Sequence, residues 1–455
     1  VPFLRLTEEV GGRIYLNAVA AGVVLGLFGV AEDVMTGYVR TYFSRKGEDV
    51  AEKNAEAIRR GYAVGQEILG SGRLDLSVAP DPGVEKEVLL TGAQAVGFGA
   101  LAGGCRFLAS YPMSPSTGVM VFLSEQTEHF DLIVEQAEDE ISAVNMALGA
   151  SYAGARAMVT TSGGGFALMT EAISLSGMIE TPVVVHLAQR PGPATGLPTR
   201  TEQADLQLAL YAGHGEFPRA IFAPGNLEQA LRLTHRAFDL ADKYQVPVFV
   251  LTDQYLIDTI THIPPPEITA SDTGPFIVKT QKGYRRFLLT DDGLSPRGIP
   301  GYGEGLVGVD SDEHDEDAHI TEDLRLRSRM VEKRLKKGEG LLKEALAPEW
   351  VGPETCQTLV IGWGSTYPVL KEALALIGRE DVALLHFHQV YPLHPDTRAL
   401  LERAKQRVLI ENNATGQLGN LIRLHTGIAV EEKFLKYSGM AFSLEEVVEG
   451  LEGLL

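Results

Sequence analysis

Residues 130–165 read FDLIVEQAEDEISAVNMALGASYAGARAMVTTSGGG, and their pattern decides the fold class. Phe130 to Glu135 reads as an apolar strand, Ile141 to Gly154 as a helix of small residues, and Ala157 to Thr161 as a second strand. The three glycines after Ser162 then turn the chain into another helix. Mostly continuous apolar strands separated by helices indicate an α/β fold with a parallel sheet covered on both faces. The rhythm continues outward. Helix Thr91 to Gly103 leads to strand Cys105 to Tyr111, and helix Ser116 to Gln126 leads back to Phe130. Downstream, helix Phe166 to Met178 precedes strand Val183 to Ala188, and helix Leu227 to Lys243 precedes strand Val246 to Thr252. Ligands of such sheets bind at the carboxyl ends of the strands. Ser114, Ser162, Arg190 and Thr199 all follow strands on that edge.

Glu140 stands in the turn before the small-residue helix, which delivers a carboxylate to the edge of a buried cleft. An acid there can simply favour the positive end of the helix dipole. It can also hold a heterocycle. Thiamine diphosphate needs an acid at its aminopyrimidine ring nitrogen before its own amino group can take the thiazolium proton.

Upstream, Tyr111-Pro112-Met113-Ser114-Pro115-Ser116-Thr117 places two prolines around a hydroxyl. Proline fixes its own φ and biases the preceding residue towards extended backbone, so Ser114 is held at its strand end. That hydroxyl can bond a carboxylate or carbonyl of a ligand; the plain alternative is a turn capped by Ser116. Downstream, Leu187-Ala188-Gln189-Arg190 is followed by Gly196-Leu197-Pro198-Thr199-Arg200-Thr201-Glu202-Gln203-Ala204-Asp205. A guanidinium offers two parallel donors to a carboxylate, each bond contributing roughly 1.5–3 kcal/mol. Thr161-Ser162-Gly163-Gly164-Gly165 could cradle a phosphate. It lacks the lysine of a nucleotide loop, and it reads as a close-packed turn facing a cofactor or a partner subunit.

These three segments, in this order, resemble the alpha subunit of 2-oxoacid:ferredoxin oxidoreductases. That family carries a Tyr-Pro-Ile-Thr-Pro motif, a thiamine glutamate, and a substrate arginine ahead of a Gly-Leu-Pro-Thr loop. Met113-Ser114 replaces Ile-Thr here, which keeps the hydroxyl and loses a methyl worth roughly 0.8 kcal/mol if buried. The resemblance implies that Glu140 activates thiamine, that Arg190 and Ser114 orient the substrate with Thr199 assisting, and that Tyr111, Pro112 and Ser162 line the cofactor. It implies coenzyme A-dependent oxidative decarboxylation of a 2-oxo acid, 2-oxoglutarate by resemblance, with carbon dioxide released and electrons passed to ferredoxin. A non-oxidative thiamine-dependent decarboxylase or transketolase-like enzyme would share Glu140. A non-catalytic assembly subunit would keep the fold alone.

The same resemblance sets the organisation. Residues 1–75 resemble the closing, helical part of a fused gamma domain, with helices Arg13 to Val30, Ala31 to Arg45 and Val50 to Leu69. The opening strand and glycine turn of such a domain are absent and the chain starts at Val1, so its natural beginning is expected to be missing. Gly70-Ser71-Gly72 and the stretch with Pro80 and Pro82 read as a linker. Residues 87–262 form the pyrimidine-binding domain, 263–353 a linker with an acidic insertion, and 354–455 a transketolase carboxyl-terminal type of α/β domain. Asp310 to Asp317 is expected to be a solvated loop ahead of a charged helix, Thr321 to Ala345, and no metal is assigned to it. Gly303 to Gly308 matches GxGxxG without a framing strand and helix, and is read as accidental.

Composition bounds the partners. The 455 residues hold 40 Lys and Arg against 60 Asp and Glu, a net charge of −20, which argues against nucleic acid and anionic membrane. Leu16 to Val30 is shorter than the roughly 20 residues of a membrane span and reads as a buried helix, so a cytoplasmic location is expected. Cys105 and Cys356 are the only cysteines, whereas an iron-sulfur cluster usually takes four thiolates. The chain also lacks the Gly-Asp-Gly of a magnesium-diphosphate site. Magnesium, the diphosphate ligands and the cluster are therefore expected on a beta subunit that completes the site.

Overall fold

The computed structural model describes residues 1–74, 76, 78–79, 81–266 and 276–454 in two units, Val1–Lys86 and Glu87–Leu455. Pro80 of the expected linker and residues 267–275 of the 263–353 segment lie outside the described residues. The first unit is helical: α1 Phe3–Glu8, α2 Leu16–Leu27, α3 Glu32–Phe43 and α4 Glu48–Gly70. Small residues let α2 and α4 meet backbone to backbone. An added Cβ at Gly22 would fall 2.1 Å from the Ile58 carbonyl oxygen, and one at Gly61 would fall 2.0 Å from that of Val19. Among the described residues no helix is long and apolar enough to cross a membrane.

The second unit opens with β1 Val88–Thr91, β2 Phe107–Ser110, β3 Ile133–Gln136 and β4 Ala157–Thr161. It continues with β5 Val183–Gln189, β6 Ala220–Phe222, β7 Pro247–Asp253 and β8 Ile260–Ile263. The later strands are β9 Glu349–Val351, β10 Thr358–Trp363, β11 Val382–Phe387, β12 Gln389–Tyr391, β13 Gln406–Glu411 and β14 Glu432–Leu435. A seven-stranded sheet runs β12-β6-β7-β5-β4-β2-β3, parallel except at β12, and a five-stranded sheet runs β14-β13-β10-β11-β9, parallel except at β9. Every residue of β5 and β7 is buried, as strands covered on both faces require. The α/β reading of the sequence thus describes the fold, with additions. β6 and β12 are three residues each, too short to show as apolar runs, and β12 carries residues 389–391 into the first sheet. One core cluster accordingly spans both sheets, from Phe166 and Phe249 to Trp363 and Phe387.

Two expectations are corrected. The helix read as Phe166 to Met178 is two pieces, Gly163–Leu168 and Thr170–Met178. The acidic run is not simply a solvated loop, because His314 is fully buried against the Phe287 ring at 3.8 Å between centroids. Glu313 meets Arg334 at 2.9 Å through both its oxygens, which ties the run to helix Leu324–Lys343. The same helix sends Lys333 and Lys337 onto the buried carboxylate of Glu180, with Lys333 Nζ at 2.5 Å. Arg286 donates to the Glu180 carbonyl at 2.6 Å. Burial alone would push the Glu180 carboxyl up; Lys337, Lys333 and Arg286 together hold it far below the usual carboxylate range.

Candidate active site

Helix α5 spans Gly92–Ala102, α6 Thr117–Glu125 and α7 Glu140–Tyr152. Glu140 is therefore the first helical residue rather than part of the preceding turn. Asp139 takes the cap, its Oδ1 accepting from the Ser142 N–H at 2.7 Å, which leaves the Glu140 carboxylate free of capping work. Glu140 is only 3% exposed, and its Oε1 has no hydrogen-bond partner. A buried carboxylate oxygen without a donor is costly, so its natural complement is a ligand that brings one.

The glycine turn explains where that oxygen sits. An added Cβ at Gly165 would fall 2.5 Å from Glu140 Oε1 and 2.2 Å from Thr161 Oγ1, so a side chain there would occupy the place of the carboxylate. Ser162, at the end of β4, is fully buried, caps nothing with its side chain, and leaves Oγ unpartnered. The turn is close-packed, as its composition suggested.

Arg190 leaves the end of β5 and donates from Nη1 to the Ser114 carbonyl at 2.5 Å. The structure thus brings these two residues together through the backbone of Ser114, a residue that is itself exposed. Tyr111 is exposed and Pro112 half-buried on the same edge. Ser116 does not cap α6; its Oγ donates to the Met113 carbonyl at 2.7 Å and tightens the turn. Thr199 is exposed, and among the described residues no hydrogen bond joins it to Arg190 or Ser114. Its loop is anchored elsewhere, by the Thr201 N–H to the Gly439 carbonyl at 3.1 Å.

Sequence reasoning missed the residues that hold this loop down. Gln203 donates to the Trp363 carbonyl at 2.8 Å, accepts from the Asn412 N–H at 3.1 Å and gives its own N–H to the Asn412 carbonyl at 2.6 Å. Gln189 receives the Asp205 N–H at 3.0 Å and donates to the Thr252 carbonyl at 3.1 Å. Beneath it, His186 bridges Thr160 at 2.7 Å and Thr252 at 2.8 Å, and burial holds its imidazole down at about 3, so it is neutral. The available signal was a set of polar residues interrupting apolar strands at matching heights.

Residues 98–333 match the family described as "Pyruvate flavodoxin/ferredoxin oxidoreductase, thiamine diP-bdg", and residues 1–64 match "Pyruvate ferredoxin/flavodoxin oxidoreductase". The 2-oxoglutarate synthase subunit KorA of Methanothermobacter thermautotrophicus is 31% identical over 379 residues, covering 80% of this chain and 97% of its own. The chain belongs to the 2-oxoacid:ferredoxin oxidoreductase alpha-subunit family. Within that family, 2-oxoacid:ferredoxin oxidoreductase 1 subunit alpha of Sulfurisphaera tokodaii is 35% identical over 395 residues, 82% of this chain. The chain spans 62% of that relative's length. Among solved structures, the 2-oxoglutarate:ferredoxin oxidoreductase from Magnetococcus marinus with 2-oxoglutarate, coenzyme A and succinyl-CoA bound superposes with a TM-score of 0.88 at 31% identity. That match covers all of this chain and 80% of the other. The residues matched by the family's thiamine diphosphate-binding model include Glu140, Ser162 and Arg190, and the unpartnered Glu140 oxygen fits a cofactor with a ring N–H to donate.

Proposed function

We propose that this chain is the pyrimidine-side half of an enzyme that oxidatively decarboxylates a 2-oxo acid, 2-oxoglutarate first among candidates, to its coenzyme A thioester with ferredoxin as electron acceptor. The observation that carries this is the buried, unpartnered carboxylate oxygen of Glu140, packed against Gly165 of the glycine turn, in a domain where Arg190 meets the Ser114 carbonyl at the sheet edge. When bound, thiamine diphosphate supplies the nucleophilic carbon and the electron sink for loss of carbon dioxide. Glu140, almost fully buried, would hold the aminopyrimidine through a proton at its ring nitrogen, and burial would strengthen that bond. Arg190, steadied by the Ser114 carbonyl, holds the substrate carboxylate, with the Ser114 hydroxyl and Thr199 closing around it. Tyr111, Pro112 and Ser162 shape the cofactor wall.

Magnesium, the diphosphate ligands and the iron-sulfur cluster belong on a beta subunit, and coenzyme A enters as co-substrate. Residues 1–75 belong to a gamma-type domain, 87–262 to the pyrimidine-binding domain, and 354–455 to a transketolase carboxyl-terminal type of domain, in a cytoplasmic complex. The test is co-expression with the beta subunit and assay of coenzyme A-dependent viologen reduction. Turnover of 2-oxoglutarate faster than pyruvate supports the reading. No reduction with any 2-oxo acid, in a complex that holds thiamine diphosphate and cluster, removes it.

A further inference from the structure

The segment that carries Thr199 leaves the first sheet after Arg190 and is tied down at both ends. At its start, the Leu197 N–H donates to the Pro191 carbonyl at 3.0 Å. An added Cβ at Gly196 would fall 1.7 Å from that same oxygen, so glycine, at a φ of +54°, is what lets the chain turn back there. The Arg200 N–H then closes a turn onto the Leu197 carbonyl at 3.1 Å, with Thr199 inside it.

The far end is held by the other sheet. Gln203 is fully buried at the carboxyl ends of β10 and β13, and each of its four polar groups is engaged there. Its side chain donates to the Trp363 carbonyl and accepts the Asn412 N–H, its own N–H donates to the Asn412 carbonyl, and its carbonyl accepts from Asn413 Nδ2 at 3.1 Å. Asn413 is fixed in turn by donating to the buried Glu411 at 2.6 Å. Gly364 makes room for the amide: at a φ of +56°, an added Cβ there would fall 2.8 Å from Gln203 Nε2. Asn412 works twice. Its side chain donates to the carbonyls of Lys436 at 2.8 Å and Met440 at 3.2 Å, which holds the loop whose Gly439 carbonyl receives the Thr201 N–H. These bonds lie beyond the strands of the second sheet, which end at Trp363 and Glu411. What they fix is the stretch between Arg190 and helix Leu206–Leu210.

We propose that Gln203, clamped by Asn412 and Asn413, is a positioning residue through which the 354–455 domain sets Thr199 at the substrate position. This rests on the reading of Thr199 as a substrate contact. With the clamp loosened, Thr199 is spread over many positions and its hold on the 2-oxo acid is lost. Glu140 and the glycine turn, which the clamp does not touch, keep their hold on the cofactor.

The experiment is a double-mutant cycle on the assembled complex, with Gln203→Met, Thr199→Val and both together. Methionine fills much the same space and makes neither side-chain bond. In each single variant the KM for 2-oxoglutarate rises up to about 10-fold, the order of one hydrogen bond, while kcat moves less and thiamine diphosphate affinity by calorimetry is unchanged. The double variant rises no further, because Thr199 then has nothing left to lose. Amide exchange supplies a readout independent of turnover: the Thr201 N–H exchanges faster in Gln203→Met than in wild type. An unchanged KM in Gln203→Met, effects that multiply in the double variant, weakened thiamine diphosphate binding or unchanged Thr201 exchange each overturn the proposal. If Gln203→Met does not assemble, Asn413→Ser, which gives up the donor to the Gln203 carbonyl, takes its place in the same cycle. Failure of the underlying reading looks different, because Thr199→Val alone then leaves KM unchanged or the wild-type complex turns over no 2-oxo acid. Either result also overturns the proposal.

Discussion

Glu140 would be an expensive residue if its only task were to begin a helix. Asp139 already caps α7, and Glu140 buries an oxygen with no donor. Its placement makes sense when a ligand supplies the donor, and Glu140→Gln tests this while keeping shape. General acid-base groups contribute roughly 100- to 10,000-fold. Proton exchange at the thiazolium carbon, followed by NMR in the assembled complex, should slow by a factor in that range, and an unchanged rate rules out the assignment. Arg190→Lys keeps the charge and loses the planar fork, including the bond to the Ser114 carbonyl. One charge-assisted bond is worth roughly 1.5–3 kcal/mol, so kcat/KM should fall about 10- to 100-fold with thiamine diphosphate affinity nearly intact. Since Ser114 meets Arg190 through its backbone, Ser114→Ala isolates the hydroxyl: a loss of kcat/KM assigns it to the substrate, and no loss assigns it to solvent. Ser114→Thr should be tolerated, because it keeps the hydroxyl.

At the scale of elements, what was legible in the sequence follows burial. β5 and β7 are buried throughout and showed as apolar runs; α7 showed through its small residues. β6 and β12 were not visible, because three residues carry no period and their pairing is set by partners far along the chain. The run Asp310 to Asp317, expected to be a solvated loop, was misread for a different reason: Glu313 is held by Arg334 of helix Leu324–Lys343, and Lys333 of that helix meets Glu180, 153 residues before it, a pairing that no local pattern shows. Glu180 precedes β5, so this ion cluster sits at the start of the strand that Arg190 follows. Removing one partner of a buried pair costs about 3–5 kcal/mol. Glu180→Gln should lower unfolding stability by that order, and adding Lys337→Met, which removes one uncompensated cation, should restore part of it. Chemical denaturation of both variants checks this; equal loss in single and double variant would show that the charges are not coupled. The proposed site could be named from the sequence as residues but not as bonds. Arg190 and Ser114 were both singled out, yet their contact through a carbonyl could not be read from side-chain types.

At the scale of the whole molecule, the proposed function gives the chain one side of a two-sided chemistry. In that proposal Glu140 is the acid for an aminopyrimidine and Arg190 the cation for a carboxylate, whereas the sequence has no Gly-Asp-Gly, and among the described residues no group of three or more His, Cys, Asp or Glu is placed to hold a metal ion. Its two thiols are poor cluster ligands singly: burial pushes Cys105 up to about 12 and also raises Cys356, and the thiolate is the ligating form. A cofactor held by its pyrimidine alone forgoes the charge-assisted bonds to its diphosphate, each worth roughly 1.5–3 kcal/mol. Losing several of them weakens binding by a few orders of magnitude. The isolated chain should therefore bind thiamine diphosphate weakly and contain no stoichiometric iron, and mixing with the beta subunit should produce tight binding that needs magnesium. Calorimetry on the chain alone and on the assembled complex, with metal analysis of each, measures both quantities. Stoichiometric thiamine diphosphate or iron on the chain alone would place the whole site here and remove the need for a shared one.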